Sequence, residues 1–144
     1  MNMMISVLTH CRRWMLTRQA EVVRKAVSGL TPEQRRQTAD QTLAEIQAAA
    51  CLPVPHLHGD TQQSLYQPWS PVASRAAQRA TDRSVQLRQR GIALWLAVVY
   101  HETRHAQDPG LQAVHRSVLG ILRELKETVR ADTPAEQAWF NAAA

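Results

Sequence analysis

Two histidines lie four residues apart, with a glutamate directly after the first, in the segment His101-Glu102-Thr103-Arg104-His105. On a helix, residues four apart lie on one face, one turn above the other, so the two imidazoles can bind a common metal ion. Imidazole nitrogens at about 2.0–2.1 Å suit zinc, and a neighbouring carboxylate can take a proton from an attacking water. The spacing therefore predicts a zinc site of metallopeptidase type, with His101 and His105 as ligands and Glu102 as general base.

A zinc site of this kind needs a third protein ligand and an open fourth position. His115 is one candidate, because it lies on the apolar stripe of the next helical pattern and comes level with Thr103 if a turn folds the two helices antiparallel. The alternative interpretation is a core histidine whose hydrogen bonds are satisfied. Glu136 is the other candidate, although Thr133-Pro134-Ala135-Glu136 also fits a helix-capping box.

The segment Tyr100–Gln107 resembles the zinc helix of small gluzincin-like metallopeptidase domains. Some of these domains occur as toxins or effectors in bacterial polymorphic secretion systems. In such domains a later helix supplies a glutamate ligand, and the segment Pro134–Trp139 is similar to that region. The resemblance covers only the part of the chain from Ile92 to the end. The acidic residue that often follows the third ligand is missing here, where Gln137 and Ala138 stand.

The resemblance implies a ligand set of His101, His105 and Glu136, which places Glu136 ahead of His115. It also implies Glu102 as the base, Zn²⁺ as the cofactor and a peptide or protein as the substrate. An effector role, with a cognate immunity or carrier protein as a partner, is implied by the resemblance alone.

The elements around this segment predict a mainly α fold, a compact single-domain helical bundle spanning residues 1–144. Its parts are an N-terminal helical pair (1–50), a Pro-rich loop (51–71) and a helical metal-site region (72–144). A zincin normally carries a small sheet beside its active helix. The sequence contains no clear strand, so either the Pro-rich loop contains a short hairpin or the fold is a reduced, helical version.

Local signals set the expected helix boundaries. The first helix should end near Ser28-Gly29, and Thr31-Pro32-Glu33-Gln34 has the pattern of a capping box that starts a second helix running to about Ala50. A polar helix is expected over residues 74–90. The signals continue with a joint or kink at Gly91, a buried helix over 92–107, a turn at 108–110 and an amphipathic helix over 111–130.

Three further side chains could contact a substrate. His58 lies in His56-Leu57-His58-Gly59-Asp60, where a loop histidine could stabilise an oxyanion, although simple loop polarity is the favoured interpretation. Tyr66 and Tyr100 are the only tyrosines, and either could donate a hydrogen bond to a tetrahedral intermediate.

The chain carries a formal charge of +5, which is supplied mainly by arginine. The arginines alternate with Glu, Asp and Gln rather than forming one block, which favours solvated helix faces and argues against a nucleic-acid partner. The alternative function is a non-catalytic basic helical module that binds a protein or nucleic-acid partner.

Compartment signals are few. Cys11 and Cys51 form no CxxC pair, so two free buried thiols are expected rather than a cysteine metal site. The first residues lack a secretory signal, which predicts a cytoplasmic protein or one exported without a cleavable signal peptide. The longest apolar run, Ile92–Tyr100, is too short to span a bilayer, so no membrane partner is expected.

Overall fold

The computed structural model describes residues 2–51 and 69–128, and these residues form five helices with no strand. The helices are α1 (Asn2–Ser28), α2 (Pro32–Cys51), α3 (Trp69–Arg79), α4 (Val85–Thr103) and α5 (Pro109–Thr128). The prediction of a mainly α, compact helical fold is confirmed. The Pro-rich loop and its alternative hairpin fall on residues 52–68, which lie outside the described residues.

Helix α4 occupies the centre of the bundle and packs against each of the other four helices. Its apolar side chains Ile92, Trp95, Leu96 and Val99 are fully buried. Burying such side chains contributes about 1.5–3 kcal/mol each, so α4 makes a large contribution to hydrophobic stabilisation. The single core cluster takes residues from all five helices. No helix of the described residues is long and apolar enough to cross a membrane.

The connection between α1 and α2 is a reciprocal capping box. The backbone N–H of Thr31 donates to Oε1 of Gln34 at 3.0 Å, and the backbone N–H of Gln34 donates to Oγ1 of Thr31 at 3.2 Å. Two N–H groups at the start of the helix are thereby satisfied. The predicted end of the first helix, the capping box and the extent of the second helix are all confirmed.

The predicted joint at Gly91 is wrong. Helix α3 ends at Arg79, and α4 begins at Val85 with Ser84 as its N-cap, so the break lies at residues 80–84 and Gly91 is inside α4. A Cβ atom added at Gly91 would lie 2.5 Å from the carbonyl oxygen of Ala76 in α3. Glycine is therefore needed here for the close approach of two helices rather than for a bend.

Helix α4 ends at Thr103, four residues earlier than predicted, and α5 begins at Pro109. The side chain of Asp108 accepts the backbone N–H of Leu111 at 3.0 Å, so Asp108 is the N-cap of α5 rather than part of a separate turn. Arg13 of α1 forms an ion pair with this N-cap residue, with its Nη1 3.5 Å from the Asp108 carboxylate. The short connection brings the first turns of α5 beside the end of α4.

Candidate metal centre

Four residues with metal-binding or acid–base chemistry lie near the C-terminal end of α4. His101 and Glu102 lie in its last turn, His105 follows directly after the helix, and His115 approaches from α5. The aromatic ring of Tyr100 lies between two of the imidazoles. Each of these residues was singled out by the sequence, and the structure shows which of them meet.

His101 is half-buried and faces α2. Its Nε2 lies 2.9 Å from the backbone carbonyl oxygen of Ile46. A carbonyl oxygen only accepts hydrogen bonds, so Nε2 carries the proton and Nδ1 of the neutral ring carries the lone pair. Metal-binding histidines almost always donate their other ring N–H in this way to a carbonyl or carboxylate. The ring is therefore held in one tautomer that has a free ligand nitrogen.

Thr103 links the end of α4 to α5. Its hydroxyl donates to the carbonyl oxygen of Val99 at 2.6 Å and lies 2.9 Å from Nδ1 of His115. The hydroxyl has a single proton, which goes to Val99, so Nδ1–H of His115 donates to Oγ1 of Thr103. The lone pair of the neutral His115 ring is then on Nε2. The expectation that the helix connection brings His115 level with Thr103 is confirmed.

The pKa of His115 is lowered from its ordinary value near 6.5. Burial of the ring is the main cause, followed by the positive charge of Arg104 and by the charge of His105 when it is protonated. All three effects penalise the imidazolium form. His115 is thus held neutral near pH 7, which is the form that can bind a metal ion.

Tyr100 packs its ring against both fixed histidines. The centroid of the tyrosine ring lies 5.4 Å from that of the His101 ring, in an edge-to-face arrangement. It also lies 5.4 Å from the centroid of the His115 ring. The guanidinium of Arg104 lies 5.6 Å from the tyrosine ring centroid, a cation–π distance. These contacts restrict the positions of both imidazoles.

His105 is exposed and lies in the turn after α4. Its position is nevertheless set by the helix, because Arg104 has φ −62° and ψ −28° and its backbone N–H donates to the Tyr100 carbonyl. An α-helical backbone through residue 104 puts the Cα of His105 one turn beyond that of His101. Glu102, which is half-buried, is rotated about 100° from His101 around the helix and so lies beside the pair.

Two faces of α4 are involved. His101 contacts α2, whereas Thr103 and His115 meet on the side that faces α5. Two residues apart on a helix means a rotation of about 200°, so these contacts lie on nearly opposite sides. In residues 2–51 and 69–128 no three His, Cys, Asp or Glu side chains form a group that could hold a metal ion. Glu136, His58 and Tyr66 lie outside the described residues.

Sequence reasoning missed two groups that fix the histidines. The first is the carbonyl of Ile46, a backbone atom of another helix for which a sequence carries no signal. The second is the hydroxyl of Thr103, for which a signal was present. A threonine in the last turn of a helix often bonds to the carbonyl four residues earlier, and its oxygen then remains free to accept.

Comparison with known proteins identifies no relative. No family model, no curated protein and no solved structure matches the chain.

Proposed function

We propose that the chain is a zinc-dependent metallopeptidase or amide hydrolase that uses His101, Glu102 and His105. The observation that carries the proposal is the α-helical backbone that continues through Arg104. With that backbone the two histidines are one turn apart with the glutamate between them, which is the arrangement that HExxH chemistry requires.

The chain's own groups divide the work as follows. His101 and His105 act as ligands through neutral imidazole nitrogens, and Glu102 takes a proton from the attacking water and later returns it to the leaving amine. A bound zinc ion would lower the pKa of water and polarise the scissile carbonyl. Tyr100 is the described side chain that could donate a hydrogen bond to the developing oxyanion.

The hydrogen bond of His101 supports this proposal. Its Nε2–H is held by the Ile46 carbonyl, so the ring pays little rotational entropy when Nδ1 binds a metal. The third ligand is proposed to be Glu136, with His115 second. His115 has a free Nε2 lone pair, but its ring is on the α5 side of the helix.

Zinc content is the first test. The purified chain, loaded with zinc and then dialysed, should retain about one zinc per chain by elemental analysis, as for a three-ligand site. His101→Ala and His105→Ala should lose the metal, whereas Gln107→Ala, an exposed neighbour, should keep it. A wild-type chain that folds and retains no zinc would show that the proposal is wrong.

The third ligand can be identified with the same measurement. Glu136→Gln should lose zinc and His115→Gln should retain it if the proposed order is correct. The reverse result would assign His115 as the ligand and would place the metal on the α5 side of α4.

Hydrolysis is the second test. Glu102→Gln should keep zinc and lose activity against a quenched-fluorescence peptide library, because the amide cannot accept the proton of water. Loss of a general base is worth about 10²–10⁴-fold in rate. Activity that survives this change would refute the mechanism while leaving the metal site intact.

The cellular role follows from the resemblance, and we propose a bacterial effector or toxin that is either cytoplasmic or exported without a cleavable signal. Induced expression of the wild-type chain in a bacterial cytoplasm should then arrest growth. The Glu102→Gln variant, expressed to the same level, should be harmless. Equal toxicity of the two proteins would show that any growth arrest does not depend on hydrolysis.

A further inference from the structure

Most of the chain's net positive charge is concentrated in one hairpin of helices. Residues 69–100, which cover α3 and nearly all of α4, contain five arginines, no lysine and one acidic residue, Asp82. Their net charge of +4 compares with +5 for the whole chain. The Asp82 carboxylate accepts the backbone N–H of Ser84 at 2.9 Å, so it is oriented toward the turn's own backbone.

Four of these arginines are exposed: Arg75, Arg79, Arg83 and Arg90. None of the four forms an ion pair with another residue that the structure describes. Their positive charge is therefore not neutralised within the described part of the fold.

Arginines that are separated in the sequence lie on the exposed sides of two helices that pack closely together. Arg75 and Arg79 are one turn apart on the side of α3 opposite its buried alanines. The Cβ of Arg79 lies next to Gly91 of α4, where an added Cβ would be 2.7 Å away. Arg83 directly precedes the N-cap Ser84 of α4, and Arg90, which is also exposed, lies about two turns further along the chain.

Helix α1 packs beside α3 and carries an exposed aromatic side chain. Ser74 of α3 contacts Met15 and Gln19 of α1, and Trp14 and Arg18 precede these two residues by one position each. Trp14 is 59% exposed, and the guanidinium of Arg18 lies 4.9 Å from its ring centroid. We call the surface formed by Trp14, Arg18, Arg75, Arg79, Arg83 and Arg90 the arginine face.

We propose that the arginine face binds single-stranded nucleic acid. Exposed guanidinium groups bind phosphate oxygens in a bidentate manner, which lysine cannot do. An exposed tryptophan beside them provides a surface on which an unpaired base can stack. Both features are present together on this face, and they are the two parts from which sequence-tolerant single-strand sites are built.

The apolar content of the face favours nucleic acid over a lipid surface. A helical surface that binds membranes buries a broad apolar stripe in the lipid. Among the side chains that the structure describes, the other exposed large apolar ones are Val22 and Leu87, which are 38% and 42% exposed. These described side chains offer little apolar area to insert into lipid, whereas the unneutralised charge suits a phosphate backbone.

Fluorescence anisotropy with labelled dT20 and U20 tests this proposal on the full chain, in the presence of a chelator so that zinc plays no part. Binding should weaken with salt, with a log–log slope of about −3 for four phosphates neutralised on a single strand. The variant Arg75→Gln/Arg79→Gln/Arg90→Gln should bind at least about tenfold more weakly and lose about two units of slope.

A matched control separates the face from net charge. Arg24→Gln/Arg116→Gln/Arg123→Gln removes the same three charges from exposed positions outside the arginine face, and it should retain most of the affinity. Trp14→Ala should lower affinity by about fivefold or more with an unchanged slope, because stacking is not a charge effect. An equal loss in the two triple variants would overturn the proposal.

Competition distinguishes other occupants. Phosphatidylserine vesicles or poly-glutamate that displace the oligonucleotide at equal charge concentration would assign the face to a membrane or to an acidic protein, and the proposal would be wrong. Failure of the chain to bind either oligonucleotide at low salt would have the same consequence. Neither result tests the proposed zinc site, which lies at the C-terminal end of α4.

Discussion

Buried polar side chains are hydrogen-bonded differently at the two ends of α4. In the N-terminal and central part, the buried side chains of Gln89 and Trp95 each have a hydrogen-bond partner on another helix. Nε2 of Gln89 donates to the Gln34 carbonyl at 3.0 Å, and Nε1 of Trp95 donates to Oε1 of Gln19 at 2.9 Å. Gln19 in turn donates to the Ser74 hydroxyl at 3.1 Å. These bonds join α4 to α2 and α1, and α1 to α3, and they stabilise the fold.

At the C-terminal end, two histidines each use one ring nitrogen in a hydrogen bond. His101 and His115 each donate one ring N–H, to Ile46 and Thr103 respectively, and each neutral ring keeps a lone pair on its other nitrogen. A structural histidine needs only to be satisfied, whereas a ligand needs one nitrogen fixed and the other free. The buried amide and indole groups of α4 thus bond to other helices, whereas the two histidines near its C-terminal end each keep one ring nitrogen outside these hydrogen bonds.

Packing follows the same division. Gly91 lets α3 approach α4 at backbone contact distance, and Ala76 and Ala80, which it faces, are buried. By contrast, Arg104 and His105 are exposed where the helix ends. A change at the packed end should therefore affect folding, and a change at the open end should affect chemistry with a smaller effect on folding.

Gly91→Ala should have the largest effect on stability. The added methyl group would lie 2.5 Å from two backbone atoms, the oxygen of Ala76 in α3 and the nitrogen of Ala80 directly after it, so the helices must separate. Overpacking of this kind costs about 1–3 kcal/mol, and a backbone clash belongs at the upper end. Urea unfolding followed by circular dichroism measures the loss.

Gly120→Ala is the matched control, because a Cβ at Gly120 in α5 meets nothing within 4 Å. Replacing a helix-interior glycine by alanine should there raise the free energy of unfolding by about 0.5–1 kcal/mol. If both alanine variants are stabilised, the close approach of α3 and α4 at Gly91 is not real, and the proposed contrast between the two ends fails.

The sequence predicted helices well where the signal is local. The capping box at Thr31–Gln34 and the end of α1 near Ser28 depend on neighbouring residues and are confirmed. The interpretation of Gly91 as a joint was wrong because glycine has two uses, a break and a close contact. The difference between them depends on Ala76 and Ala80, which are distant in the sequence.

The residues of the candidate metal centre could be predicted from the sequence, but the geometry of their side chains could not. The spacing of His101 and His105 and the pairing of Thr103 with His115 follow from helix periodicity and one turn. The tautomers do not follow, because they depend on a carbonyl of another helix and on the direction of one hydroxyl proton. The third ligand Glu136 stays a prediction, since it lies outside the described residues.

Thr103→Val should have an intermediate effect on stability. Valine keeps the shape of threonine but removes the acceptor of His115 Nδ1–H, which lowers the free energy of unfolding by about 1 kcal/mol. It should also remove the preference of the His115 ring for the Nδ1–H tautomer. The ¹⁵N chemical shifts should then show a larger population with the proton on Nε2. The shift pattern of the His101 ring should stay unchanged.

Thr42→Val provides the control for that change. Thr42 is a buried threonine whose hydroxyl donates to the Thr38 carbonyl at 2.7 Å, as the Thr103 hydroxyl donates to Val99. No histidine bonds to it in the described structure. Its replacement should cost less than that of Thr103, and equal losses would mean that the His115 hydrogen bond adds nothing.

The smallest expected effect is a dependence of stability on pH through His115. Its pKa is lowered in the folded chain and returns to about 6.5 on unfolding, so the unfolded chain binds the proton more readily. The stabilising contribution of the neutral ring is therefore complete above pH 6.5 and is lost as the pH falls through the lowered pKa. In metal-free protein, the unfolding free energy of wild type relative to His115→Gln should decrease on acidification below pH 6.5. A relative increase would mean that the folded environment favours the imidazolium, against the burial and charges found around this ring.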